Sequence, residues 1–185
     1  MPLVNTLFDP ELGPDLLARA QRVRGFVLDV DGVLTDGAIV YDADAREIKA
    51  FHVWDGFAVK VLQKIGLEVA ILSGRRSAVV AHRAAELGVR EVLQGHLKKR
   101  PAFLELVERS GLRADEFCVI GDDLPDLALF ELAGLAAAPG DAHPLVQQRA
   151  HYVARRGGGR GAVREVVELV LHAQGRFAEL AALFA

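Results

Sequence analysis

The chain has 185 residues, of which 51% are hydrophobic and 25% charged, and its formal net charge is −3. The length predicts one domain over residues 1–185, with enough apolar residues for a buried core. The absence of a basic excess and the 6% aromatic content argue against nucleic acid as a partner. No stretch approaches the ~18 consecutive apolar residues of a membrane span. The single cysteine, Cys118, excludes an internal disulfide and a zinc cluster of the usual kind.

The first residues, MPLVNTLFDPELG, contain neither a basic region nor a long apolar stretch. We therefore expect no signal peptide and a cytoplasmic location. Residues Pro10 to Arg24 have helical spacing, and the apolar run Phe26–Leu28 predicts a buried parallel strand. Residues 38–51 predict a β-hairpin with a polar turn. Asp55 is predicted to cap the helix that follows it.

Strands and helices then alternate along the chain. The predicted strands are Glu68–Leu72, Glu91–Leu93, Phe117–Ile120, Leu135–Ala138 and Tyr152–Val153. The predicted helices are Ser77–Leu87, Pro101–Ser110, Pro125–Leu132, Pro144–Arg149 and Ala162–Ala173. This alternation predicts an α/β fold with a doubly wound parallel sheet and a small β-hairpin inserted after the first strand.

Two carboxylates, Asp29 and Asp31, follow the first predicted strand in the segment FVLDVDGVLTDG. In an open α/β sheet, ligands bind outside the carboxyl ends of the strands. Paired acids at such a point fit Mg²⁺, which prefers oxygen ligands, and they also allow one acid to attack while the other moves a proton. A calcium-binding loop fits this segment less well. Such a loop carries acids at alternate positions, and the alternate positions after Asp31 are not acidic here. On DVDG alone, catalysis and ordinary turn chemistry both remain open.

Polar groups also follow three later strands. They are Ser73-Gly74-Arg75, the pair Lys98-Lys99 after Gln94-Gly95, and Gly121-Asp122-Asp123. Because these strand ends meet at one edge of a parallel sheet, the set predicts phosphoryl transfer to an aspartate. A cation would neutralise phosphate oxygens, and a hydroxyl and a lysine would stabilise the charge that spreads over the phosphoryl group. Arg75 could bind a substrate carboxylate through a bidentate contact, or could be an ordinary surface residue.

DVDGVLT, Ser73-Gly74, the lysine after the third strand and GDD resemble the four motifs of the haloacid dehalogenase superfamily of phosphatases. Longer segments, including FHVWDGFAVK, GDDLPD, DAHPLV and GGGRGAVREVVELVLHAQG, are similar in order and spacing to the family of 3-deoxy-D-manno-octulosonate (Kdo) 8-phosphate phosphatases. The similarity runs from about Arg24 to Gly175. It implies a single phosphatase domain without a large cap, with a hairpin flap at about 38–51 and a C-terminal helix and tail at about 155–185.

The resemblance implies an Mg²⁺-dependent hydrolase of Kdo 8-phosphate, acting in lipopolysaccharide biosynthesis through an aspartyl-phosphate intermediate. Asp29 would be the nucleophile and a metal ligand, Asp31 the general acid/base and a ligand through its backbone carbonyl, and Asp122 the third ligand. The implied substrate-binding residues are Ser73, Gly74, Arg75, Lys99 and Asp123, with Asp123 also supporting the metal site. The family implies a homotetramer in which the hairpin of one subunit closes the active site of a neighbour.

Several alternatives remain open in the sequence. Spacing from Gln94-Gly95 assigns the phosphate-binding lysine to Lys99, with Lys98 as the alternative. Trp54 stands where relatives commonly carry arginine, which leaves a nine-carbon sugar-acid phosphate as an alternative substrate. Asp36 and Asp126 are predicted to cap or support rather than to catalyse. A receiver-like signalling domain, which also uses a phosphorylated aspartate, is the alternative from a different functional class.

Overall fold

The computed structural model describes residues 12–182. Its helices are α1 (Pro14–Gln21), α2 (Val53–Lys64), α3 (Ala78–Leu87), α4 (Lys99–Ser110), α5 (Leu127–Phe130), α6 (Pro144–Arg149), α7 (Ala162–Ala173) and α8 (Phe177–Ala182). Its strands are β1 (Gly25–Leu28), β2 (Val40–Tyr41), β3 (Glu47–Ile48), β4 (Glu68–Ser73), β5 (Glu91–Gln94), β6 (Phe117–Ile120), β7 (Leu135–Ala138) and β8 (Tyr152–Val153). The predicted helix start at Pro10 and residues 183–185 of the predicted tail lie outside the described residues. Within 12–182, no helix has both the length and the apolar character needed to cross a bilayer.

Six strands form one parallel sheet in the order β5-β4-β1-β6-β7-β8. Leu28 at the end of β1 pairs with Ile71 of β4 on one side and with Ile120 of β6 on the other. The carboxyl ends of these three strands therefore lie side by side in the middle of the sheet. The strand order reverses at β1, which is where open α/β sheets bind their ligands.

Helices cover both faces of the sheet, as the doubly wound prediction requires. Phe26 and Leu28 of β1 face a core built with helices α1, α2, α3 and α7, whereas Val27 between them faces a second core built with α4, α5 and α6. Side chains alternate between the two faces of a strand, so β1 is apolar throughout because both of its faces are buried. The α/β prediction is confirmed.

The predicted hairpin is present, but its paired strands β2 and β3 have only two residues each. It lies between β1 and α2, and no large cap domain occupies this part of the described chain. Four apolar side chains of the hairpin are 46–58% exposed: Ile39, Val40, Tyr41 and Ile48. A hairpin this short has little stability of its own, so its position depends on contacts with the rest of the molecule.

One predicted cap is wrong. Helix α2 begins at Val53, and the imidazole of His52 accepts the backbone N–H of Trp54. Asp55 instead accepts the backbone N–H groups of Gly161 and Arg164, at 3.0 and 2.9 Å, and so caps the distant helix α7. Burial raises the pKa of Asp55, and these two hydrogen bonds oppose the rise.

Two predicted helices also differ from the structure by more than one residue. Helix α4 begins at Lys99, two residues before the predicted Pro101. The region predicted as one helix from Pro125 to Leu132 is a 3₁₀ turn, Leu124–Asp126, followed by the short helix α5. Lys99 is therefore the first residue of α4, and Asp126 ends the 3₁₀ turn; both side chains belong to the candidate site.

Candidate active site

The DVDG segment makes a tight turn directly after β1. The backbone N–H of Asp29 still bonds to Ile120 of β6, at 3.0 Å, and Val30 O then accepts N–H groups from the residues that follow, including Thr35 at 3.0 Å. Gly32 has a φ of 91°, and a Cβ atom there would lie 2.0 Å from a carboxylate oxygen of Asp122. A glycine is therefore needed for both the turn and the approach of the GDD segment.

Lys99 extends into this turn from the first residue of α4. Its ammonium lies 2.9 Å from Asp29 Oδ1 and 2.7 Å from Asp126 Oδ1, and its side chain is 3% exposed. Burial opposes its charge, but the carboxylates of Asp126 and Asp29 outweigh that effect and raise its pKa. Lys98, by contrast, is exposed. The geometry brings Lys99, rather than Lys98, into the carboxylate cluster.

Three carboxylates converge next to Lys99. One oxygen from each of Asp29, Asp122 and Asp126 lies within 4.8 Å of the others. Burial raises the pKa of Asp122 to about 8, with the charges of Asp29 and Asp126 adding to the effect. Asp122 Oδ1 is buried without a hydrogen-bond partner among residues 12–182. A divalent cation fits these residues, because it would satisfy the free oxygen and offset the repulsion.

Asp126 contributes more than the sequence analysis indicated. Its side chain is 2% exposed. Besides Lys99, it accepts the backbone N–H groups of Asp122 and Asp123, at 3.2 and 3.4 Å. Both of its oxygens are thus engaged, so it holds the lysine and the GDD loop together. The signal in the sequence is its position four residues after Asp122, with Pro125 allowing the tight turn between them.

The predicted substrate-binding residues Ser73, Gly74 and Asp123 differ in burial and in their local contacts. Ser73, at the end of β4, is buried, and its hydroxyl accepts the backbone N–H of Arg75 at 3.3 Å. Gly74 follows it and lies against Leu97, where a Cβ would be 3.4 Å from the leucine side chain. Asp123 is exposed and accepts the N–H of Leu124 at 2.8 Å, so its carboxylate caps the 3₁₀ turn.

Asp31 belongs to a second polar group, formed with the hairpin. Its Oδ1 contacts the ammonium of Lys49, and its Oδ2 lies 3.6 Å from the guanidinium of Arg75. Glu47 of β3 joins the same group, 3.4 Å from Lys49 and 2.8 Å from Arg75. The base of the hairpin is therefore tied to the active site of its own chain. The sequence analysis gave no role to Lys49 or Glu47.

The glycine-rich segment before α7 packs on the back of the DVDG turn. Gly159 donates its N–H to Val33 O at 2.9 Å, and a Cβ atom on Gly158 would lie 1.9 Å from the carbonyl oxygen of Gly32. Nearby, the guanidinium of Arg156 lies over the ring of Trp54, 4.5 Å from its centroid. A cation is thus present beside Trp54 in the folded chain.

Magnesium is expected to raise the melting temperature more at pH 8 than at pH 5. The pKa of Asp122 is raised in the folded chain, so the folded chain keeps a proton on Asp122 that the unfolded chain loses. The stability of the metal-free protein therefore falls as the pH rises. The cation replaces this proton and competes with it at low pH. A Mg²⁺ concentration one hundred times its Kd raises the free energy of unfolding by about 2.7 kcal/mol. In a chain of this length, that corresponds to an increase of roughly 5–10 °C in melting temperature.

The measurement is thermal unfolding with Mg²⁺ or EDTA at matched ionic strength. Asp122→Asn should lose most of both the Mg²⁺ effect and the pH trend in EDTA. An equal Mg²⁺ effect at the two pH values would contradict the assignment of Asp122 as a ligand.

Comparison with known proteins places this geometry in a family. Residues 84–163 match the model of haloacid dehalogenase-like hydrolases. The chain is 43% identical to the 3-deoxy-D-manno-octulosonate 8-phosphate phosphatase of Escherichia coli K12 over 174 residues, 94% of this chain and 92% of the relative.

Two crystal structures of proteins with the same name superpose closely. The Yersinia pestis enzyme has a TM-score of 0.87 at 41% identity, covering 89% of both chains. The Moraxella catarrhalis enzyme, solved with magnesium, phosphate and Kdo, has a TM-score of 0.89 at 38% identity, covering 92% of this chain and 98% of that one. The chain belongs to the 3-deoxy-D-manno-octulosonate 8-phosphate phosphatase family of haloacid dehalogenase-like hydrolases.

Proposed function

We propose that this protein hydrolyses Kdo 8-phosphate to Kdo and phosphate, with Asp29 as the nucleophile. The observation that carries the proposal is the position of Asp29, at the end of the central strand and in contact with Lys99 beside Asp122 and Asp126. The relatives described above are named for this reaction, and one was solved with its product sugar, phosphate and magnesium.

The reaction has two steps. Asp29 forms a bond to phosphorus while the bond from phosphorus to the ester oxygen breaks, and Asp31 gives its proton to that oxygen. Water then attacks the aspartyl-phosphate, Asp31 takes a proton from it, and the Asp29 carboxylate and free phosphate are restored. The two acids belong to different polar groups: Asp29 contacts Lys99, whereas Asp31 contacts Lys49 and Arg75.

The metal ligands in this proposal are the carboxylates of Asp29 and Asp122 and the backbone carbonyl of Asp31. Asp126 supports them by holding Lys99 and the GDD loop. When bound, Mg²⁺ supplies charge that neutralises phosphate oxygens. Asp122 has a free, buried oxygen among the described residues, which supports its place in this set.

The substrate is held at two places in the proposal. Ser73, Lys99 and the backbone amide of Gly74 bind the phosphate, with Asp123 at the edge of the site. Arg75 binds the sugar-acid carboxylate. Its NH1 nitrogen is buried and has no hydrogen-bond partner within residues 12–182, although it lies 3.6 Å from Asp31. Because this nitrogen makes no hydrogen bond to the described residues, it keeps donor capacity that suits a substrate carboxylate.

We further propose that the whole chain acts as one cytoplasmic phosphatase domain that assembles into a homotetramer. The exposed apolar residues of the hairpin, including Tyr41 and Ile48, support a contact with a neighbouring subunit. The base of the hairpin stays on its own chain through Lys49, so its outer face remains available to close the active site of the neighbour.

A phosphate-release assay with Mg²⁺ tests the substrate. The panel contains Kdo 8-phosphate, N-acylneuraminate 9-phosphate, the deaminated nine-carbon analogue and common sugar phosphates. We expect kcat/KM for Kdo 8-phosphate to exceed the others by at least about tenfold, because polar contacts to the sugar acid must be satisfied in the site. Preference for a nine-carbon substrate, or equal turnover of all, would contradict the proposed specificity, and no release from any would contradict the phosphatase activity.

A further inference from the structure

We propose that Lys49, at the base of the hairpin, is a positioning residue that directs the Asp31 carboxylate toward the leaving group. The inference deepens the proposed function and rests on it, because it assumes that Asp31 is the general acid/base. It assigns the hairpin a role in the active site of its own chain, in addition to any contact with a neighbour.

The side chain of Lys49 is buried. Only 1% of it is exposed, and lysine is almost never fully buried unless it is paired. An ammonium removed from water is costly without compensating partners. Here the partners are Asp31, in direct contact, and Glu47 at 3.4 Å. The chain thus places a buried charge beside the proposed acid/base.

Lys49 is itself held in place by Glu47. Glu47 accepts the hydroxyl of Ser77 through Oε2 and the guanidinium of Arg75 through Oε1, the latter at 2.8 Å. Ser77 is also the N-cap of α3, where its hydroxyl accepts the N–H of Val80. Lys49 is therefore anchored, through Glu47, to the junction between β4 and α3 rather than to a free hairpin.

Asp31 needs a contact that fixes the direction of its carboxylate. Its side chain is 21% exposed and lies in a turn, so packing alone does not fix its direction. Lys49 holds one carboxylate oxygen, and Arg75 lies 3.6 Å from the other. A general acid must lie within hydrogen-bond reach of the atom it protonates. Lys49 supplies the constraint that keeps Asp31 at that point, and Arg75 adds to it.

Two substrates with different leaving groups provide the test. Kdo 8-phosphate releases an alkoxide that needs a proton, whereas p-nitrophenyl phosphate releases a phenolate that departs without one. For Lys49→Met, we expect kcat/KM on Kdo 8-phosphate to fall about 10²-fold, the cost of misplacing a reacting group by about 1 Å. On p-nitrophenyl phosphate it should fall by less than about threefold, because general-acid help contributes little there. Lys49→Arg should recover most of the loss.

The matched control is Lys60→Met, which removes an exposed lysine from α2 and should leave both substrates unchanged. An equal loss on both substrates in folded Lys49→Met would overturn the inference while leaving the phosphatase assignment intact. If Lys49→Met does not fold by circular dichroism, Glu47→Gln takes its place, because Glu47 holds Lys49: a selective loss on Kdo 8-phosphate supports the inference, and an equal loss on both substrates refutes it. Wild-type protein inactive on both substrates would refute the proposed function and the inference together.

Discussion

Asp29→Asn is expected to abolish phosphate release while leaving the protein folded. An amide cannot form the aspartyl-phosphate, so we expect kcat to fall by at least about 10⁴-fold, as when the nucleophile of a covalent mechanism is removed. The measurement is steady-state release of phosphate from Kdo 8-phosphate with saturating Mg²⁺. Acid quench of the wild-type reaction should reveal a phosphate adduct on the peptide that contains Asp29, and the variant should show none.

The variant should be at least as stable as the wild type in EDTA at pH 8. Burial is the main cause of the raised pKa values of Asp122 and Asp126, and the charge of Asp29 is the next. Replacing that charge by a neutral amide lessens the repulsion, and Asp126 keeps its contact with Lys99. Lost activity with an unchanged or higher melting temperature separates the chemical role from a structural one.

Asp36→Asn is the matched control, because it makes the same chemical change seven residues away in the same motif. Asp36 is exposed, and its carboxylate accepts the backbone N–H of Ala38 at 3.1 Å. We expect activity close to that of the wild type. The Asp29→Asn protein must be free of deamidated molecules, which carry aspartate at this position again. Activity within about tenfold of wild type in such a preparation would refute the nucleophile assignment.

Much of this site could be predicted because parallel strands place their carboxyl ends at one edge of the sheet. The positions of Asp29, Ser73 and Asp122 follow from where the apolar runs end, since β1, β4 and β6 are neighbours in the sheet. Family membership then argues against the receiver-like alternative, which the residue types alone had left open. Spacing from Gln94-Gly95 favours Lys99 over Lys98, and the contacts of Lys99 with Asp29 and Asp126 agree with that assignment.

Other contacts could not be predicted because they join distant segments. Lys49 and Asp31 meet only after the hairpin folds back onto the DVDG turn, and Asp55 caps a helix more than a hundred residues later. Asp126 looked like a capping residue because acids are common in the first turn of a helix. Its contact with Lys99 depends on how α4 packs beside the GDD loop. Such pairs depend on tertiary packing rather than on local pattern.

Lys99→Met is expected to lower both activity and metal-free stability. Lys99 is the ammonium that contacts Asp29 and Asp126, at 2.9 and 2.7 Å. Loss of one group that stabilises transition-state charge lowers the rate by about 10²–10³-fold. Leaving buried carboxylates without their partner costs about 3–5 kcal/mol. Phosphate release and unfolding in EDTA measure the two effects separately.

The loss of stability should grow between pH 5 and pH 8. Lys99 stays charged throughout this range because its pKa is raised, so the trend comes from the carboxylates. In the wild type, burial raises the pKa of Asp126, Asp29 adds to the rise, and Lys99 opposes it. Without Lys99, the pKa of Asp126 rises further. The folded variant then keeps the proton on Asp126 up to a higher pH than the unfolded chain does, so its stability falls over a wider pH interval than that of the wild type. Lys98→Met, which removes the exposed neighbour, should show neither effect; a larger loss in Lys98→Met than in Lys99→Met would transfer the role to Lys98.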